Sequence, residues 1–209
     1  SNDYVFVKTK AREFDYPSGD KNVYSTYAGH GGVPVGGFLR RLAFALRFRS
    51  LPVLLNDDIT AESRVMFHRR VEERLQRIAP FLTFDPDPYL VVSHGKLYWI
   101  CDAYTLSGMY PYSQPIPGMG ANYIRNSVKA VVDAYDGAVT FYVADAEDPL
   151  LRTYDKIFPR LFQPLGKMDP DLQRHLRYPQ TLFEVQARMY AVYHMNDPQV
   201  FYNKEDVWE

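Results

Sequence analysis

The stretch NYIRNSVKAVVDAYDGAVTFYVAD, Asn122 to Asp145, decides the fold. Two β-type runs flank the pair Asp136-Gly137, and the pair predicts a hairpin turn, because Gly137 accepts a positive φ that a side chain resists. Before the turn Val128, Ala130, Val132 and Ala134 alternate with Lys129, Val131, Asp133 and Tyr135. After it Val139, Phe141 and Val143 alternate with Thr140, Tyr142 and Ala144. Both faces carry apolar atoms, so these strands suit the middle of a sheet covered on both sides.

Working outward toward the N-terminus, FDPDPYLVVSHGKLYWICDAY from Phe84 to Tyr104 predicts a second hairpin with His94-Gly95 in its turn. The passage between the hairpins, Thr105 to Ala121, is rich in Pro, Gly, Ser and Tyr and reads as a long candidate functional loop. A helix is expected from Asp57, Asp58 or Thr60 to Ala79, with Phe67, Val71, Leu75 and Ile78 at helical spacing and Pro80 ending it. Tyr4 to Lys10 reads as a strand, and Asp15 to Asn22 as a turn-rich passage. Toward the C-terminus, Asp148-Pro149 and Asp169-Pro170 each give an N-cap followed by proline at the first helical position, and a longer helix is expected from Pro179 to about Met195. The predicted class is therefore α+β: an antiparallel sheet built from two central hairpins and packed by flanking helices.

Ala28 to Gly37, AGHGGVPVGG, leads into a helix-like run from Phe38 to about Arg49. A glycine-rich loop before a helix can bind an anion through unpaired amides, but the spacing is neither a dinucleotide fingerprint nor a P-loop, and a plain irregular loop is the expected reading. Lys21 to Asn56 contains no acidic residue while carrying Lys21, Arg40, Arg41, Arg47 and Arg49. On the helix within it, periodicity puts Leu39, Leu42, Ala43 and Leu46 on an inward face. Arg40, Phe44, Arg47 and Phe48 fall on the other side and form a candidate membrane or partner face.

Composition excludes several classes. The 24 Lys and Arg against 25 Asp and Glu give no field for nucleic acid. Cys101 is the sole cysteine, so there is no internal disulfide. No uncharged apolar run reaches the ~18 residues of a membrane span, and the chain reads as soluble. The five histidines form no HExxH and lack cysteine partners, so no metal site is expected; the carboxylates at Asp57-Asp58, Asp85 and Asp87, and Asp145, Glu147 and Asp148 match no calcium loop. A GxSxG elbow is absent, and no cofactor is expected. Ser1-Asn2 reads as a protease-cleavage remnant, and the ends, opening into Tyr4 to Lys8 and stopping at Trp208-Glu209, predict a piece of something longer.

The runs NYIRNSVKAVVDAYDG, FDPDPY, WICDAYTLSGMYPYS, HLRYPQTLFEVQ and YHMNDPQVFYN, with DYPSGDKNVY and GHGGV near the start, resemble the bacterial membrane proteins called uncharacterised protein family 0182. The resemblance implies several N-terminal membrane spans followed by a large water-facing region, of which residues 1–209 are a single domain or a fragment. It implies a parent in the cell membrane, and it implies no reaction. It places Asn122, Tyr123, Arg125 and Asn126 inside the family's signature, where the reading of the residues has Arg125 and the two asparagines brace the loop entering the central hairpin. The expected function is an extracytoplasmic binding or assembly module, tethered through the parent's spans and facing a protein partner or a second copy. The alternative is an envelope-associated hydrolase, told apart by a deep pocket with convergent polar groups.

Overall fold

The computed structural model describes residues 4–208. Ser1-Asn2 and Glu209, read above as a remnant and an abrupt end, lie outside the described residues. The chain folds as two compact units, Ser1–Arg74 with Asp133–Ala138, and Leu75–Val132 with Val139–Glu209.

The first unit holds β1 (Tyr4–Val7), β2 (Glu13–Ser18), β3 (Lys21–Ser25), β4 (Val33–Pro34), α1 (Phe38–Phe48), α2 (Pro52–Leu55) and β5 (Arg64–Phe67). β5 lies between β1 and β4, antiparallel to both, and β2 pairs with β3. Two expectations are corrected here. The turn-rich passage is a hairpin, with Gly19 at positive φ between β2 and β3. The helix expected from Asp57 to Ala79 begins only at α3 (Val71–Ile78), because Arg64 to Phe67 pair with a strand some sixty residues earlier, Tyr4 against Phe67 and Val7 against Arg64. Long-range pairing of a β-branched and aromatic run overrides its helical spacing.

A third correction concerns α1. Its inward side is aromatic: Phe44 and Phe48 pack with Tyr4, Phe6 and Phe67 against the buried Val35, Ile59 and Val65. Phe48 stacks on Tyr4 at 4.0 Å between ring centroids. Leu39 and Leu46, expected inward, are 78% and 70% exposed. Two helix faces are apolar, and the rings of Tyr4 and Phe67 on the sheet behind the helix give Phe44 and Phe48 aromatic partners, which adds to the burial on that face.

The second unit is built on a six-stranded sheet: β6 (Thr83–Phe84), β7 (Tyr89–Ser93), β8 (Lys96–Ser107), β9 (Tyr123–Asp133), β10 (Val139–Val143) and β11 (Phe162–Pro164). The two predicted hairpins are adjacent in it, with β8 beside β9. His94 and Gly95 both have positive φ and close Ser93 against Lys96, the two-residue turn that matches strand twist. The central turn is longer than the Asp-Gly pair alone: Val132 faces Val139, while the Asp133 carboxylate accepts the amides of Tyr135 and Asp136, and Gly137 sits at φ +70. β11 adds to β10 in parallel.

Both faces of the central strands β8 and β9 are covered, as the double apolar alternation requires, while Leu90 and Val92 of β7 stay exposed on one face. Tyr89, Val91, Ile100 and Val131 pack with Met168 and Leu172, the latter on α5 (Pro170–Gln173). Phe141, which alternation turns to the opposite face from Val131, joins a ring cluster with Phe84, Phe162, Phe81 and Phe158 near α4 (Pro149–Ile157). Asp148 and Asp169 cap α4 and α5 as the Asp-Pro pairs predict, and Asp197-Pro198 likewise opens α7 (Pro198–Asn203) after α6 (Gln180–Tyr193). No helix among the described residues is long and apolar enough to cross a membrane.

Candidate functional site

In the first unit the glycine-rich loop closes on the central turn. The Asp136 carboxylate accepts the Tyr27 hydroxyl, the His30 amide at 3.1 Å and the Gly31 amide at 3.4 Å. Tyr27 in turn accepts the Gly31 amide at 2.8 Å. The loop amides thus bind an anion, and the anion is the protein's own. Glycine is required: a Cβ on Gly29 would collide with Asp136 and the Tyr27 ring, and one on Gly31 with the Asp136 carbonyl. The Tyr27 hydrogen bond, followed by the loop amides, holds the Asp136 carboxyl below its usual range. Burial, then Asp136, pushes the Tyr27 phenol up to about 12, so it stays a donor at neutral pH. Arg64 donates to the carbonyls of Gly31 and Gly32, and Arg74 to that of Gly137, completing the clasp.

Beside it lies an open cleft of about 390 Å³ lined by Lys8, Thr9, Lys10, Thr26, Tyr27, Thr60 and Glu62. Lys8 is committed to the Gly29 carbonyl at 2.9 Å, and Glu13 accepts the amides of Lys8 and Tyr27. The lining groups therefore hold the loop's shape first.

In the second unit three buried carboxylates organise the sheet. Asp148 is fully buried and accepts Tyr123 at 2.9 Å, Leu150 N at 3.0 Å, and Thr105 and Ser127 at 2.5 Å each. Burial alone would raise its carboxyl; the hydroxyls of Ser127, Thr105 and Tyr123 outweigh that and lower it. Asp85 accepts Tyr104 at 2.5 Å, Asp87 N at 3.0 Å and Thr181 N at 3.4 Å. Thr181 is in the first turn of α6, whose own N-cap, Pro179, supplies no side-chain bond, so Asp85 caps that helix from a hundred residues away. Asp102 is paired with Lys129, both buried, and Lys129 also donates to the Arg177 carbonyl at 3.3 Å. Burial pushes the Asp102 carboxyl up against the pull of Lys129.

The four signature residues each bond within the chain. Asn122 donates to the carbonyls of Tyr110 and Ser113 and accepts the Tyr110 amide at 3.0 Å, pinning the loop that follows β8. Tyr123 stacks on Tyr110 and donates to Asp148; Arg125 pairs with Asp145 at 3.1 Å; Asn126 donates to the Ala103 carbonyl. The other sequence-picked group is split. Arg40 is exposed and Arg47 reaches His68 at 3.1 Å and lies over the Phe67 ring, whereas Phe44 and Phe48 are core. The sequence reading missed Asp102, Lys129, Asp136 and Tyr27. The available signal was a lysine inside the apolar run Ser127-Val128-Lys129-Ala130 facing WICDAY, since a buried cation needs a carboxylate near it.

Two helices leave apolar surface uncovered. Beyond Leu39 and Leu46, Phe38, Leu51 and Leu55 are exposed around α1 and α2. α6 has no buried residue, and Phe183, Met189, Tyr190 and Tyr193 stand open to solvent.

Fold and braces together define an α+β scaffold whose buried polar groups hold its own sheet, loops and helix ends. The chain belongs to the Uncharacterised protein family (UPF0182), whose family model matches residues 1–209. A UPF0182 protein of Desulforamulus reducens is 56% identical over 206 residues, 98% of this chain and 22% of that protein. One from Geobacter sp. strain M21 is 56% identical over 210 residues, 100% of this chain and 23% of its own length, and one from Cupriavidus necator is 55% identical over 206 residues, 99% and 23%. The chain thus spans less than a quarter of the curated relatives it matches. No solved structure matches it.

Proposed function

We propose that this chain is a binding or assembly module of a bacterial integral membrane protein, standing on the extracytoplasmic side and held to the bilayer by spans elsewhere in the parent. The observation that carries the module reading is α6: fourteen residues with none buried and four large apolar side chains in the open. An isolated helix of that length is marginal in water and draws its stability from a packed apolar face. Asp85 anchors its start and the Trp208 amide meets Ala191 near its end, yet Phe183, Met189, Tyr190 and Tyr193 stay in the open, so the face calls for a covering surface, and relatives more than four times as long supply chain to provide one. The buried carboxylates support the same reading, because each is engaged in holding the scaffold.

The test is site-specific photo-crosslinking in the full-length protein in its own membrane. A crosslinking amino acid at Tyr190 is expected to join α6 to a distant segment of the same polypeptide or to one discrete protein, and Glu62→Cys is expected to react with a membrane-impermeant maleimide in intact cells. No crosslink at Tyr190 sinks the assembly module, and labelling of Glu62→Cys only after the cytoplasmic membrane is permeabilised sinks the location.

A further inference from the structure

We infer that the outward face of α1 docks on an anionic lipid surface. At 100° per residue Leu39, Ala43 and Leu46 form one stripe, and Arg40 and Arg47 lie along one edge of it. All five are exposed, and Phe38 at the start of the helix is 67% exposed. The opposite side, Phe44, Ala45 and Phe48, is turned to the core, which fixes the stripe's direction outward. Arg41 is not part of the docking charge, since it turns in to the Ile59 carbonyl; the exposed Arg40 and Arg49 carry it, and Arg47, exposed but held by His68 and the Phe67 ring, adds its charge at the edge.

Charge selects the occupant. From Lys21 to Asn56 there is no acidic residue, so the segment that carries the stripe contributes charge of one sign, the Glu73 carboxylate beside it being taken up by His68. An apolar stripe bordered by guanidiniums is what a headgroup layer takes: the leucines enter the acyl boundary while the arginines remain among phosphates. A second copy of the same face would set arginine against arginine, which disfavours self-pairing. The face belongs wholly to the first unit, so its docking requires nothing of α6. The inference rests on the module reading only in placing a bilayer within reach, and its test is separate from the crosslink at Tyr190.

The experiment is co-sedimentation of the chain with vesicles of equal parts phosphatidylglycerol and phosphatidylcholine, and with phosphatidylcholine alone, at about 0.05 M and about 1 M salt, where the screening length falls from over 10 Å to about 3 Å. Binding is expected to anionic vesicles at low salt and to be lost at high salt. Each cation near such a surface contributes about fivefold in partitioning, so Arg40→Glu is expected to weaken binding by about 25-fold. Leu39→Glu/Leu46→Glu is expected to abolish it, with circular dichroism unchanged because both positions are exposed. Equal binding to both vesicle types, no binding to either, or no effect of Arg40→Glu overturns the inference; Arg40→Glu needs no core rearrangement, so it stands even if the leucine variant misfolds. Sedimentation equilibrium runs alongside: a dimer that Leu39→Glu/Leu46→Glu dissociates, without vesicle binding, assigns the face to a second copy and overturns the lipid reading.

Discussion

Removing one member of the buried Asp102–Lys129 pair should cost far more than removing both. Lys129 is 7% exposed and Asp102 3%, so neither charge is rescued by water. Lys129→Met leaves a buried carboxylate without its cation, and breaking such a pair typically costs about 3–5 kcal/mol. Protonation sets the ceiling: driving an aspartate of ordinary pKa about 3.9 to the neutral form at pH 7 costs about 4 kcal/mol, at ~1.4 kcal/mol per pH unit. The expected loss is therefore about 3–4 kcal/mol, or roughly 6–16 °C in melting temperature for a chain this size. Asp102→Leu/Lys129→Met, which replaces the pair by apolar groups, should lie within about 1–2 kcal/mol of the wild type. The sign of the pH effect is also fixed. Burial raises the folded-state pKa of Asp102, so its ionisation opposes folding above the unfolded value and the penalty fades as pH falls. The deficit of Lys129→Met should shrink between pH 7 and about pH 4.5. Urea unfolding followed by circular dichroism reads Lys129→Met, Asp102→Leu and the double variant; a double variant whose loss equals the sum of the singles would refute the reasoning.

Gly137→Val should destabilise by about 1–3 kcal/mol, because φ is +70 and a Cβ would press on the Arg74 guanidinium; an unchanged thermal midpoint counts against the turn's role. Gly29→Ala should unfold or loosen the first unit by colliding with Asp136 and Tyr27, visible as faster proteolysis within residues 26–37. Asp136→Asn should lower stability at neutral pH. The Asp136 contribution, carried by a lowered folded pKa, is present above about pH 3.9 and lost as pH falls through the folded value, so wild type and variant should converge in acid on a pH-resolved melting series. Asp148→Ala should cost at least about 3 kcal/mol by stripping the α4 cap and three hydroxyl donors at once, and Asp148→Asn, which keeps some acceptors, less.

What was legible in the sequence was local chemistry. His94-Gly95 and Gly137 announced their turns because positive φ is a property of single residues, and Asp148-Pro149 and Asp169-Pro170 announced two helix starts; the same pair at Asp197-Pro198, where the preceding helix was expected to stop, opens α7 as well. What was hidden depended on distant partners. Arg64 to Phe67 carries a helical spacing and becomes a strand only because β1 and β4 flank it. α1 has two apolar faces, and which one is core is decided by the sheet, not by the period. Asp148, Thr105 and Ser127 are scattered along the chain, and only the neighbouring of β8 and β9 gathers their oxygens. The asparagines and Arg125 were read as braces of the loop entering the central hairpin; Asn122 does bond carbonyls of that loop, whereas Asn126 reaches the Ala103 carbonyl in β8 and Arg125 the Asp145 carboxylate.

The central claim is that the apolar faces left open on α1 and α6 are covered in the whole protein. Amide hydrogen exchange compares them most directly, measured on the isolated chain and on the full-length protein in its membrane. The account predicts that amides of Phe38–Phe48 and Gln180–Tyr193 exchange at least about tenfold more slowly in the full-length protein, since a covering surface suppresses local opening, while β8 and β9 amides, already enclosed, change little. Equal exchange of α1 and α6 in the two forms would contradict it.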